Sequence, residues 1–521
     1  MGTRKSWIAF QWLSGVGLLA TLGAVMSVAR AQDAPPPLPV GPGEAAPADP
    51  NGGAPGQTDP NGEVMTRGPI HEAYAVPLSA GQTAGMVVPR QPPAPIEEVP
   101  PDMKPEGGNP TWIPGYWSWD DDRRDFIWVS GVWRSPPAQH RWMPGYWQPA
   151  STPGQNPGPS YQWVSGYWMP AHLEEATFLP QPPQSVENGP TSPAPGGNFF
   201  WVQGHWQWAG TQYAWQPGYW AACQPDWIFV PASYCWSPRG WIYVPGYWDY
   251  PLARRGLAFS PVYFAGPVAV YRPAVCLDVG ALSISLFARP SYGHYYFGDY
   301  YDDRYVAWGI HPWFYYNSPR FGYDPLYGYY RWYHVEHMGE RGWDDHLRGW
   351  HEYYRGHPDM RPPHTLAAER AFLASPAGRG RADLRMAHDI HEAGGMRMQA
   401  VSPAERAQLH QAARETVRFG AERQQLERSG GGVPRGQPER VNLNQMSSFK
   451  STQLPGASAA NRASASNAAA GRPGGAVANP AGRAPMNPGA VGAPGAPGSR
   501  PPAKTATKPN ARDKEKDKEK R

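Results

Sequence analysis

One six-residue word, Trp-x-x-Gly-x-Trp, recurs along this chain and constrains its fold more than any other feature. It is written as Trp112-Ile-Pro-Gly115-Tyr-Trp117, Trp128-Val-Ser-Gly131-Val-Trp133 and Trp142-Met-Pro-Gly145-Tyr-Trp147. It returns as Trp163-Val-Ser-Gly166-Tyr-Trp168, Trp201-Val-Gln-Gly204-His-Trp206 and Trp215-Gln-Pro-Gly218-Tyr-Trp220. A stretched copy, Trp241-Ile-Tyr-Val-Pro-Gly246-Tyr-Trp248, closes the series. Recurrence of this kind marks repeated supersecondary units. Each word is rich in aromatic and branched residues and is bounded by turn formers, so each predicts a strand. The first words start 16 and then 14 residues apart, which suits a strand, a turn and an antiparallel return.

The word has a steric logic. Alternate residues of a strand face opposite sides, so the glycine leaves a slot on the face it shares with the last Trp. A Trp from the neighbouring strand can lie across that slot and cover the backbone. An aromatic pair adds about 0.5–1.5 kcal/mol beyond its buried area. Proline at the third position of some words removes a ladder donor and predicts edge or irregular pairing there. The expected fold is mainly β, an antiparallel Trp/Gly repeat meander with a few C-terminal helices and long disordered ends.

Of the 521 residues, 64 are proline and 59 glycine, and these crowd toward the two ends. Residues 1–31 read as a signal peptide or N-terminal anchor. Arg4 and Lys5 precede an apolar run, and Ala29-Arg30-Ala31 is a signal-peptidase pattern. Export to the periplasm, envelope or exterior follows. If the segment stays uncleaved, it is the only part expected to contact a membrane. Residues 32–110 are expected to be a Pro/Gly-rich disordered linker. Residues 111–250 form the repeat domain, and residues 251–360 a Tyr-rich β region ending in a helix. In the β region, 268–271, 275–278 and 282–286 are strand candidates. The helix follows from the spacing of Trp343, Leu347, Trp350 and Tyr354. Residues 361–428 form a helical segment whose last helix opens at the capping box Ser402-Pro-Ala-Glu405 and runs to about Leu426. That helix has a thin, mostly alanine apolar face, which predicts exposure or an awaited partner. Residues 429–521 are expected to be a disordered basic tail.

Charge is uneven. Residues 1–360 carry 21 Lys+Arg against 30 Asp+Glu, and residues 361–521 carry 26 against 13. A basic tail suggests attraction to an anionic polymer such as an envelope polysaccharide, while no base-stacking pattern points to specific nucleic-acid binding. Of the three cysteines, Cys223 and Cys235 flank a hairpin-sized segment, and a disulfide between them would fit an oxidising compartment.

The six regular words, with Pro-Pro stretches such as Pro136-Pro137 beside them, resemble the YXWGXW-type repeats of secreted proteins from planctomycete-like bacteria. The residue two before the first Trp is aromatic at Phe126, Tyr161, Phe199 and Tyr213, but is Pro110 and His140 in other copies. The resemblance implies export and repeat architecture, and no catalytic activity.

Surplus aromatic rings could stack on sugars, with Asp120, Asp121 and Asp122 bonding hydroxyls. An exposed aromatic patch usually marks a contact surface. The His334/His337 and His388/His391 pairs place imidazoles three apart, and the Asp302-Asp303 and Asp344-Asp345 pairs resemble hydrolase carboxylates only superficially. No phosphate loop, dinucleotide fingerprint or Gly-x-Ser-x-Gly occurs. The sequence therefore predicts a non-enzymatic envelope protein, structural or interacting, without metal or cofactor and with possible self-association. The alternative is a carbohydrate-binding protein that uses an exposed aromatic face.

Overall fold

A computed structural model describes residues 62–77, 84–150, 159–374, 384–386, 392–393, 396–430 and 437–451. The 1–31 signal segment, most of the basic tail and the His388/His391 pair lie outside the described residues.

The words pair two by two. Each pair closes as an antiparallel hairpin in which both strands break at the x-Gly step, leaving a waist between two short ladders. In the first hairpin Trp112 opposes Trp133 and Trp117 opposes Trp128. In the second, Trp142 opposes Trp168 and Trp147 opposes Trp163. In the third, Trp201 opposes Trp220 and Trp206 opposes Trp215. A fourth pairs the stretched word with an equally stretched partner, so that Phe229 opposes Trp248 and Trp236 opposes Trp241. The array is thus mainly β and antiparallel. In the first three hairpins one word carries Pro-Gly at its waist and the other Ser-Gly or Gln-Gly, so a strand without a ladder donor faces one that keeps it.

The hairpins pack through side chains. Tyr116 stacks on Trp163 with centroids 4.8 Å apart, and Phe126 meets Trp147 edge-on at 5.5 Å, joining the first hairpin to the second. His140 against Tyr247 joins the second to the fourth, and His205 against Tyr243 the third to the fourth. A buried ion cluster ties the first hairpin to the fourth. Arg134 donates to both Asp249 oxygens (2.8 and 2.6 Å), and Arg255 lies 3.1 Å from the same carboxylate.

Several boundaries differ from those read in the sequence. Residues 62–77 and 84–110 are part of the body rather than a linker. Gly62–Val64 pairs with Val262–Phe264, Val87–Val88 joins the second hairpin, and Tyr74, Met86 and Ile96 are in the main core. These segments add strands to existing edges, so they need few apolar residues of their own. The spacer at 169–198 between the second and third hairpins contains the strand Glu175–Leu179, which pairs with Trp241–Ile242 on one side and Glu439–Asn442 on the other. The expected tail is therefore ordered at 437–451, where Val441, Leu443, Met446 and Phe449 fill a second core. Leu282–Ile284 is a 3-10 turn, while Val270–Tyr271 and Val275–Leu277 are strands.

The helix Trp343–Gly356 buries Trp343, Leu347, Trp350 and Tyr354, the stripe read from spacing. The helix Pro403–Ser429 begins where its capping box placed it, with Ser402 accepting from the Glu405 N–H at 3.2 Å. It is not an idle exposed helix. Ala413, Phe419, Gly420, Arg423 and Glu427 are buried, and two of these five are charged, so hydrophobic patterning could not reveal the face. Cys223, Cys235 and Cys276 form no disulfide among the described residues. Cys235 turns inward to the Ser165 carbonyl while Cys223 packs on the main core, so the Cys223–Cys235 disulfide is not formed.

Candidate functional site

The waist of each hairpin is where the repeat concentrates its chemistry. The first Trp of a word lies over the glycine of the facing word. A Cβ on Gly131 would sit 2.6 Å from the Trp112 ring, and one on Gly204 2.5 Å from that of Trp215. Gly115 faces Trp128, Gly145 faces Trp163, Gly166 faces Trp142 and Gly218 faces Trp201 in the same way. In the fourth hairpin Phe229 takes this role over Gly246. The last Trp of the facing word meets the covering ring across the ladder, with centroids 5.2–5.4 Å apart in every regular pair.

Breaking the ladder at the waist leaves backbone N–H and C=O groups without strand partners, and buried groups of that kind must be answered from elsewhere. A glutamate answers the N–H groups. In the first hairpin Glu98 accepts from Gly115 N–H (2.7 Å), Gly131 N–H (3.0 Å) and Trp128 Nε1–H (3.0 Å). In the second, Glu72 accepts from Trp163 Nε1–H (2.7 Å) and Gly166 N–H (2.9 Å). In the third, Glu187 accepts from the Gly204 N–H and from Trp201 Nε1–H (3.3 Å). Each of these three waists is thus a carboxylate socket built from an indole and one or two glycine amides.

Cations and histidine answer the carbonyls on the opposite side. Arg423 donates to the Pro144 and Ser165 carbonyls of the second waist (2.9 and 3.1 Å), pairs with Glu427 at 2.8 Å and lies over the Tyr146 and Tyr167 rings. At the first waist His71 Nε2 donates to the Pro114 carbonyl (3.1 Å), because its Nδ1 accepts from the Ala73 N–H.

Burial sets the protonation of these groups. It pushes the Glu98 and Glu72 carboxyls up to about 7, against the pull of their N–H donors. It lowers His71 to about 4 and His294, which lies 3.7 Å from Glu72, to about 3. His294 is held neutral by geometry as well, donating from Nδ1 to the Tyr292 carbonyl and accepting at Nε2 from the Tyr116 hydroxyl.

The other candidates are engaged in structure. Asp120 accepts from the Asp122 and Arg123 N–H groups of its own turn. Asp121 pairs with Arg289, and Asp122 with Arg67 and the Tyr305 hydroxyl. These aspartates line a shallow cleft with Trp119, Tyr296, Tyr300 and Trp308, but none presents a carboxylate free of a partner. Asp302 and Asp303 pair with Arg361 and Arg355, and Asp344 with Arg331 and the Tyr327 hydroxyl. His334 stacks on Trp343 at 4.9 Å and bonds Glu340. No His/Cys/Asp/Glu group among the described residues has the arrangement of a metal site.

The rings differ in exposure along the array. All four Trp residues of the first hairpin's words are buried, whereas Trp201, Trp206, Trp215 and Trp220 of the third are only half-buried, beside Trp208 and an exposed Tyr219. Sequence reasoning found the Trp and Gly positions but missed Glu72, Glu98 and Glu187. They lie in or beside Pro-containing stretches, with no periodic signal. The shared phrase Gln-Pro-Pro, at 91–93 and 181–183 before two of them, was the available clue.

A family model described as WXXGXW repeat (2 copies) matches residues 111–134, 123–148 and 198–221. The chain therefore contains WXXGXW repeats. The first and last of these stretches coincide with the first and third hairpins, whereas 123–148 joins the second word of the first hairpin to the first word of the second. No curated protein and no solved structure matches the chain.

Proposed function

We propose that this WXXGXW repeat protein is an exported, non-enzymatic component of the bacterial cell envelope that acts as a rigid structural or interaction body. The observation that carries the reading is the fate of the polar groups. The carboxylates of Glu72, Glu98 and Glu187 and the guanidinium of Arg423 are committed to holding hairpin waists. Arg134, Asp249 and Arg255 are committed to joining hairpins. The sequence adds the leader-like segment at 1–31 and a basic end suited to an anionic envelope polymer.

The half-exposed rings of the third hairpin favour a second reading, carbohydrate binding by an aromatic face. Titrating the chain with purified envelope polysaccharides at two salt concentrations, with tryptophan fluorescence as readout, separates the two. A structural body gives no spectral shift, and any association through the tail disappears in high salt. A saturable shift that survives salt overturns the structural reading in favour of glycan binding.

A further inference from the structure

Two of the three sockets are filled by the same kind of segment. Before the first hairpin, Gln91-Pro-Pro-Ala94-Pro-Ile96-Glu97-Glu98 crosses the waist. Before the third, Gln181-Pro-Pro-Gln184-Ser-Val186-Glu187 does so. The residue after Pro-Pro makes the same bond in both. The Ala94 carbonyl accepts from Trp117 Nε1–H (2.9 Å) and the Gln184 carbonyl from Trp206 Nε1–H (2.8 Å), and each Trp is the last of its hairpin's first word. The acid then enters the socket, one residue later in the first strap than in the third. Two straps far apart in the chain thus share one recognition scheme: an extended proline-rich backbone read by an indole N–H, and a carboxylate read by a waist glycine amide and a second indole. Of the waist groups, Glu98 meets Trp128 and both glycines, while Glu187 meets Trp201 and Gly204 alone.

The straps differ in how firmly they are kept. In the first, Ile96 is 4% exposed and sits in the main core. In the third, the equivalent Val186 is 52% exposed, and the bonds holding the strap go to its own hairpin: Trp206, Trp201, Gly204, Tyr213 to the Pro180 carbonyl and Trp220 to the Ser192 carbonyl. Tyr219 of the same hairpin is 41% exposed. The strap with its hairpin therefore forms a peripheral lock and key with apolar groups left unspent on both parts.

We infer that the WXXGXW hairpin is a receptor for a proline-rich, carboxylate-ended strap, and that the third hairpin exchanges its own strap for the strap of a second copy of this chain. The second copy is the occupant because it carries the one segment whose fit to this site is visible, and exchange is the low-cost route to self-association. Val186 and Tyr219 would then be covered between copies. The inference rests on the structural reading above and supplies the contact by which such a body assembles.

The test uses the full chain carrying Glu187→Lys and a labelled synthetic peptide of residues 180–192. In the wild type the resident strap competes at an effective concentration on the order of millimolar. The peptide should bind the Glu187→Lys chain saturably, and the wild type at least about ten-fold more weakly for that reason. A peptide with Gln in place of its Glu should not bind. Two differently labelled wild-type populations should develop energy transfer on mixing, and excess free peptide should abolish it. A Glu187→Lys chain with native near-UV circular dichroism that ignores the peptide overturns the inference. If that variant does not fold, the wild-type mixing experiment decides, and absence of transfer overturns it. Neither result touches the structural reading, which fails separately if polysaccharide shifts the tryptophan emission.

Discussion

Gly166→Ala is the sharpest probe of the repeat's steric logic. Gly166 has an ordinary backbone conformation, so alanine meets no φ strain there. The new methyl would overlap the Trp142 ring, with Cη2 at 2.7 Å, and approach the Met143 carbonyl oxygen at 2.8 Å. Either the ring swings out or the strands part. Overpacking of this kind costs about 1–3 kcal/mol. Moving the ring also weakens its pairing with Trp168, 5.3 Å away, worth about 0.5–1.5 kcal/mol. Parting the strands strains the Gly166 N–H bond to Glu72. Against this, replacing glycine stabilises by about 0.4–1 kcal/mol through the unfolded chain. The expected net loss is about 0.5–4 kcal/mol, measured by denaturant unfolding with near-UV circular dichroism. Gly266→Ala, with no atom within 4 Å of the new Cβ and an ordinary φ, is the control, expected to be neutral or mildly stabilising. Combining Gly166→Ala with Trp142→Ala should cost less than the sum of the two changes, because the methyl then has room. A Gly166→Ala loss no larger than that of Gly266→Ala, or strict additivity in the double variant, would refute the idea that glycine exists here to receive an indole.

Three further outcomes are expected. Glu98 titrates near 7 in the fold and near about 4.3 unfolded, so the folded state holds the extra proton between those values and stability from this group falls as pH rises through them. His71, at about 4, His294, at about 3, and His351, at about 4, act in the opposite sense, their contribution being lost as pH falls below about 6.5. Glu98→Gln should therefore destabilise more at pH 5 than at pH 8, and equal losses at the two values would contradict the buried-acid assignment. Asp249→Asn should cost about 3–5 kcal/mol by leaving Arg134 and Arg255 buried without their counter-charge, read as a lowered unfolding midpoint. Burial pushes the Cys223 and Cys235 thiols up to about 12, so thiol reagents should modify the native chain slowly at pH 8 and rapidly only in denaturant, and Cys223→Ser should leave stability unchanged under oxidising conditions.

The repeat words were legible because their side chains state their own packing: a ring, a gap and a ring at fixed spacing. The helix Trp343–Gly356 was legible for the same reason, through an apolar stripe. What escaped the sequence was whatever depends on a distant partner. The eighth word, Phe229–Trp236, has lost its first Trp and its glycine, and only the stretched spacing of Trp241–Trp248 hints that an equally stretched strand must face it. Glu72 and Glu98 lie in Pro-rich segments that composition assigns to a linker, yet both are buried because a waist supplies N–H donors that no local pattern announces. Arg423 and Glu427 escaped because burial on that helix face is bought with charge pairing rather than hydrophobicity. The Cys223–Cys235 pairing failed because proximity in sequence says nothing of direction, and Cys235 points into the core.

The borrowed carboxylate also bears on how such a chain can grow. In most repeat arrays the unit of duplication is the folded repeat itself, since each repeat needs only its neighbours. Here a duplicated pair of words would arrive with two glycine amides and an indole facing an empty socket. Only a copy that brings its acid-ended segment along would start life satisfied. For a hairpin of the third kind the heritable module is thus strap plus hairpin, and the strap at 180–192 followed by the hairpin at 199–222 lies in the chain as one continuous stretch, whereas the second hairpin draws Glu72 from ahead of the first and could not be copied with its acid alone.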